Sequence, residues 1–158
     1  MEIKKNKELL ELKPKSKKSL DLRGMKVLIV DDNPINIMVA TQFFKKWNMS
    51  YDSSESGDEA IKLCKTKSYD IILMDLQMPE KDGYETTKEI RSEINHNQNK
   101  PIIALSASTS IDVLEKVLAS GMNQYLSKPF NPKDLYDILS QFYQKDKIQM
   151  YGRASEAI

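Results

Sequence analysis

The sequence predicts an α/β domain built around a parallel sheet, and three observations carry that prediction. After Gly24 a short apolar run followed by an amphipathic stretch recurs five times, which is the pattern of βα units. The run Ile71, Ile72, Leu73 and Met74 is too short for a core helix and has no polar alternation, as expected of a strand covered on both faces. Helix punctuation falls where such units need it. Asn33 precedes Pro34, Asn131 precedes Pro132, and Gly121 follows an amphipathic stretch, supplying N-caps, prolines at first helical positions and a helix stop.

In chain order, Met1 to Arg23 is rich in Lys and Glu, and Pro14 interrupts any helix, so residues 1–23 read as a basic linker or arm. Strand one is Lys26 to Val30, helix one runs from Pro34 to about Trp47, strand two lies near Tyr51 to Ser54, and helix two spans about Asp58 to Lys65. Strand three ends on Asp75, and Gly83 closes a loop before helix three, about Tyr84 to Ile94. Strand four is Ile102 to Ser106, helix four roughly Ile111 to Ser120, strand five Gln124 to Ser127, and the last helix persists to about Gln144. The domain is thus expected over residues 24–144, with a flexible tail over 145–158.

Composition narrows the function. The 158 residues, 40% apolar and 30% charged, suit one globular domain with tails. Lys and Arg number 24 against 23 Asp and Glu, which gives no global reason for nucleic-acid or bulk membrane binding. No apolar run approaches the roughly 20 residues of a membrane span, and the N-terminus lacks the apolar core of a signal peptide. A cytoplasmic location is therefore expected. Cys64, the one cysteine, shares a helix face with Ala60 and Ile61 and reads as core, while His96 stands alone in a polar loop without partners at metal-ligand spacing.

The chemistry lies at the strand ends. A lone Asp after a strand ordinarily caps a turn, but here strands one, three, four and five end on Asp31 with Asp32, Asp75, Ser106 and Lys128. In a parallel sheet these converge on one edge, where open α/β sheets hold ligands. Three close carboxylates repel one another, and a raised pKa or a divalent cation relieves them. All-oxygen ligands favour a hard, partly hydrated ion, which points to Mg²⁺. Phosphoryl chemistry follows: Lys128 neutralises phosphoryl oxygens, Ser106 hydrogen-bonds one, and Asp75 is the nucleophile that becomes an acyl phosphate.

The stretches LIVDDN, ILMDLQMPEKDG, ALSAS and YLSKPF resemble the response-regulator receiver domains of two-component signalling, in order and spacing, over about Met25 to Phe142. DDNPIN, MDLQMP and the Lys-rich arm are most similar to receivers of hybrid sensor histidine kinases. The resemblance implies a flavodoxin-like doubly wound sheet in the order 2-1-3-4-5. It implies that Asp75 takes a phosphoryl group from a phosphohistidine on a histidine kinase or a histidine-containing phosphotransfer protein. Asp32, Asp75 and the backbone carbonyl of Gln77 would bind Mg²⁺ directly and Asp31 through water. Ser106 would be the switch hydroxyl, Tyr125 the switch aromatic, and the Lys128-Pro129 bond cis. Ser106 stands where the family often has Thr, which keeps the hydroxyl and loses a methyl.

Helix one carries two apolar stripes. Ile35, Val39, Phe43 and Trp47 read as its core face, and Ile37, Thr41 and Phe44, with Met38 beside them, as a second face for docking a partner helix. Two other functions compete. A receiver-shaped interaction module independent of phosphorylation would usually lack an acid or the Lys, and here all five polar residues are present. An Mg²⁺-dependent aspartyl phosphatase would carry a second acid two residues after its nucleophile, where this chain has Gln77. Gln77 and Ser108 flank the crevice, where slow self-dephosphorylation would depend on how they orient water. No second apolar-periodic domain follows Gln144, so no DNA-binding helix-turn-helix is expected within this sequence.

Overall fold

The structure, a computed structural model, describes residues 21–143; the rest of the expected arm and the expected tail lie outside the described residues. Strands β1 (Lys26–Val30), β2 (Ser50–Ser54), β3 (Ile71–Asp75), β4 (Ile102–Ser106) and β5 (Gln124–Ser127) form one parallel sheet in the order 2-1-3-4-5. Between them run α1 (Pro34–Lys46), α2 (Gly57–Thr66), α3 (Gly83–Ser92) and α4 (Ile111–Ala119). A fifth helix, α5, covers 132–143.

Strand periodicity divides the core into two layers. Leu28, Val30, Ile72, Met74 and Ala104 pack with Ala60, Ile61 and Cys64 of α2, Ile90 of α3 and Val117 of α4. Val27, Ile29, Ile71, Leu73 and Leu105 pack on the opposite face with Ala40 and Phe44 of α1 and Leu135 and Leu139 of α5. Every residue of β3 is buried, which places Asp75 at the end of the central strand.

The helix starts obey their caps. Asn33 accepts from the Ile35 N–H at 3.0 Å with Pro34 in the first turn, and Asn131 accepts from the Asp134 N–H at 2.8 Å. Helix α3 begins one residue earlier than expected. Asp82 is its N-cap, accepting from the Glu85 N–H at 2.9 Å, and Gly83 is helical. A Cβ on Gly83 would lie 2.2 Å from the Asp75 carbonyl oxygen, so glycine here lets the helix start against the end of β3. The same helix stops at Ser92 rather than Ile94, because the Asn95 amide donates to the Ile90 and Glu93 carbonyls. The buried Asn97 then ties this loop to its neighbours: it accepts from Tyr69 N–H and donates to the Cys64 and Lys67 carbonyls.

Two expectations change. Leu22, read as part of the arm, is 1% exposed and belongs to the α1/α5 core layer, so the folded domain reaches back at least to Leu22. Helix α1 is rotated by roughly 100° from the orientation expected, so Phe43 and Trp47 pack on the core as expected while Ile35 and Val39 do not. Thr41 and Phe44 are buried and Ile37 packs on the core, whereas Ile35 is 63% and Val39 39% exposed. At about 100° per residue, the small, fully buried Ala40 lies between Trp47 and Phe44 and lets the helix approach the sheet. Both stripes are apolar, so periodicity of bulky residues alone did not distinguish them. Buried Thr41 and Phe44 are therefore closed to a partner and Ile37 is half-buried, while Met38, 54% exposed, remains on the surface.

Candidate functional site

Parallel register brings the strand ends together. Val30 pairs with Met74, Asp75 with Leu105, and Ser106 with Ser127, so Asp31, Asp75, Ser106 and Lys128 leave the sheet at one edge. They line a cavity of roughly 690 Å³ together with Asp32 and Gln77. The Lys128 ammonium bridges two carboxylates, donating to Asp31 Oδ2 at 3.0 Å and Asp75 Oδ1 at 2.9 Å. The Lys128-Pro129 peptide bond is cis.

Asp31 is fully buried, Asp75 nearly so, and Asp32 exposed at the crevice. Burial pushes the Asp75 carboxyl up to about 6; the Lys128 hydrogen bond restrains that rise and the Asp31 charge adds to it. Burial disfavours the charge on Lys128, but its hydrogen bonds to Asp75 and Asp31 outweigh that cost and hold its pKa above the ordinary lysine value. One carboxylate oxygen from each of Asp31, Asp32 and Asp75 lies within 4.8 Å of the other two. Such a set of hard oxygen donors, with an excess of negative charge, suits a small divalent cation.

The remaining positions are placed as follows. Gln77 exposes its side chain, and its backbone N–H donates to Asp75 Oδ1 at 3.3 Å. The Ser106 hydroxyl is turned onto its own loop, donating to the Ser108 carbonyl at 2.8 Å and accepting from the Ser108 N–H at 3.1 Å. Tyr125 is half-buried against the α2/α3/α4 core layer.

Sequence reasoning missed two groups. The Asn36 amide donates to both Asp31 oxygens, at 3.3 and 3.2 Å, and the Asn33 N–H donates to Asp31 Oδ1 at 2.9 Å. These bonds hold Asp31 in place, and Asn36, one turn into a capped helix, is legible as an inward-pointing amide. Tyr84, Asp112, Val113 and Lys116 form the far wall of the cavity. They come from α3 and α4, whose rotation the strand-end argument does not set.

The fold and this edge define a class: an α/β domain with an aspartate at the end of its central strand, flanked by acids, a hydroxyl and a lysine. The model of the response regulator receiver domain matches residues 27–140, and the chain belongs to that family. Its relatives include Histidine kinase 3 of Arabidopsis thaliana, 39% identical over 77% of this chain and 14% of that protein. Another is the hybrid signal transduction histidine kinase A of Dictyostelium discoideum, 41% identical over 74% of this chain and 6% of that protein. The chain thus spans only a small part of these curated relatives. Among solved structures it resembles the receiver domain of sensor histidine kinase PA1611 from Pseudomonas aeruginosa, which has a magnesium ion in its active-site cleft. That match has 37% identity, a TM-score of 0.69, and covers 75% of this chain and 97% of that one. The Saccharomyces cerevisiae receiver of Ssk1, solved with the histidine phosphotransfer protein Ypd1, matches at 35% identity and a TM-score of 0.70, covering 76% and 89%. The chain is thus a signalling domain of the phosphoacceptor type. No described helix is long and apolar enough to cross a membrane.

Proposed function

We propose that Asp75 accepts a phosphoryl group from a phosphohistidine on a histidine kinase or a histidine-containing phosphotransfer protein, and that the modified domain then changes its protein contacts. The observation that carries this reading is the Lys128 bridge from Asp31 to Asp75, at the end of a fully buried central strand. An Asp75 carboxylate oxygen attacks phosphorus, a P–O bond forms, and the P–N bond breaks with its electron pair leaving on the imidazole. Lys128 is placed to shift from carboxylate to phosphoryl oxygen as charge moves outward. Asp32, Asp75 and the Gln77 carbonyl would hold Mg²⁺, with Asp31 acting through water. The ion would supply charge neutralisation on the phosphoryl oxygens.

Switching follows from the resting contacts. The Ser106 hydroxyl spends its hydrogen bonds on the Ser108 backbone. A phosphoryl oxygen offers a stronger, charged acceptor, drawing Ser106 inward and opening space for Tyr125. Gln77 and Ser108, an amide and a hydroxyl, are not general bases for water, which supports slow hydrolysis of the acyl phosphate.

The docking face is assigned to Ile35, Met38 and Val39, the exposed apolar residues of α1. Val39 also lines a second cavity of roughly 380 Å³, which shares Asn36, Ala107 and Lys128 with the first. A partner helix seated there is adjacent to Asp75. Incubation with a radiolabelled phosphohistidine transfer protein tests the reading: label should move to the wild-type chain and not to Asp75→Asn. Transfer to both proteins would overturn it.

A further inference from the structure

Lys116 and Tyr84 stand on the wall of the Asp75 cavity, and the mechanism above uses neither. The Lys116 ammonium lies 4.4 Å from the centroid of the Tyr84 ring. It forms no ion pair among the described residues, although Asp112, one turn earlier on α4, lines the same wall. Lys128, by contrast, is committed to two carboxylates. Of the two cations at the cavity, one is neutralised and the other is held only by an aromatic face, a weak contact at an exposed position.

The helix that carries Lys116 is also lightly anchored. Val117 is the one fully buried residue of α4, and Ile111 and Leu118 are exposed. Moving α4 or the Lys116 side chain therefore gives up little apolar burial. A phosphoryl group entering this crevice carries negative charge past Asp32 and Asp112, and an uncommitted ammonium on the cavity wall offsets that repulsion. Such a charge acts mainly on the rate of capture.

We propose that Lys116 is a phosphoryl-entry cation: parked on the Tyr84 ring at rest, it leaves the ring to contact the oxygens of an incoming phosphoryl group and guides that group toward Asp75. This rests on the reading of Asp75 as the acceptor. Adduct formation from acetyl phosphate, at saturating Mg²⁺ and subsaturating donor, is followed by intact mass for wild type, Lys116→Met and Lys116→Arg. Runs at about 20 mM and about 500 mM ionic strength change the screening length from roughly 20 to roughly 4 Å. Lys116→Met should lower the second-order rate roughly three- to tenfold at low salt, with the deficit closing at high salt. Lys116→Arg should stay within about twofold of wild type. Equal rates for Lys116→Met and wild type at low salt overturn the inference, and so does a deficit that persists unchanged at high salt, the mark of a structural role. If wild type forms no adduct, the Asp75 reading fails and this inference falls with it; a normal wild-type adduct with an unaffected Lys116→Met sinks the Lys116 role alone.

Discussion

Replacing Asp75 by Asn should stabilise the metal-free protein, and the structure sets the size of the gain. The Asp75 carboxyl is held near 6 in the fold, against an ordinary value of 3.8. The folded state therefore binds this proton more tightly than the unfolded chain does. Below pH ~4 both states are protonated and the group is neutral in the balance. As pH rises through the folded value near 6, stability is lost, and above it the cost of the buried charge is fully present. At pH ~7.5 the cost is on the order of 2–3 kcal/mol, with the Lys128 attraction already counted in the pKa. Asn keeps the shape and removes the charge, and Lys128 retains Asp31 as its partner. Urea unfolding in EDTA, followed through Trp47, which stacks on Phe43 and meets the Tyr136 ring edge-on, measures the difference. The variant should be more stable by about 2–3 kcal/mol at pH ~7.5, with the gap shrinking below about 1 kcal/mol near pH ~4.5. A variant no more stable than wild type at pH ~7.5, or a gap independent of pH, would refute the reasoning.

Other perturbations follow from named contacts. Lys128→Met leaves the buried Asp31 and Asp75 without their shared cation; it should destabilise the metal-free protein by roughly 3 kcal/mol in urea titrations and slow adduct formation. Gly83→Ala sets a methyl 2.2 Å from the Asp75 carbonyl, and should cost roughly 2 kcal/mol or more while weakening Mg²⁺ binding measured by calorimetry. Val39→Asp, on the exposed face of α1, should change stability by less than about 0.5 kcal/mol yet slow transfer from a phosphohistidine protein roughly tenfold, leaving acetyl phosphate reactivity intact. Mg²⁺ affinity, read by fluorescence titration, should fall as pH drops below about 6, because the proton competes for the Asp75 carboxylate.

The edge on which Asp31, Asp75, Ser106 and Lys128 meet was legible because β3 and β4 are short and buried throughout, whereas the strand order followed from the resemblance to receiver domains. Residue identity at each strand's last position then reads directly as site chemistry. Helix faces were less legible. In α1 apolar residues occur on both sides, and only the burial of Ala40, Thr41 and Phe44 together marks the side that meets the sheet. Leu22 was hidden by its charged neighbours, since composition averages over the one residue that enters the core. Lys116 and Tyr84 could not be placed at the cavity from sequence, because their helices follow loops whose length does not set rotation. The lone-pair bookkeeping of Ser106, satisfied by its own loop at rest, is likewise a property of the folded backbone.

The central claim is tested most directly by exposing the full chain to acetyl phosphate with and without Mg²⁺ and reading the intact mass. One phosphoryl adduct is expected, dependent on Mg²⁺, cleaved by hydroxylamine as an acyl phosphate, and absent from Asp75→Asn. No adduct in the presence of Mg²⁺, or an adduct that persists in Asp75→Asn, would contradict it.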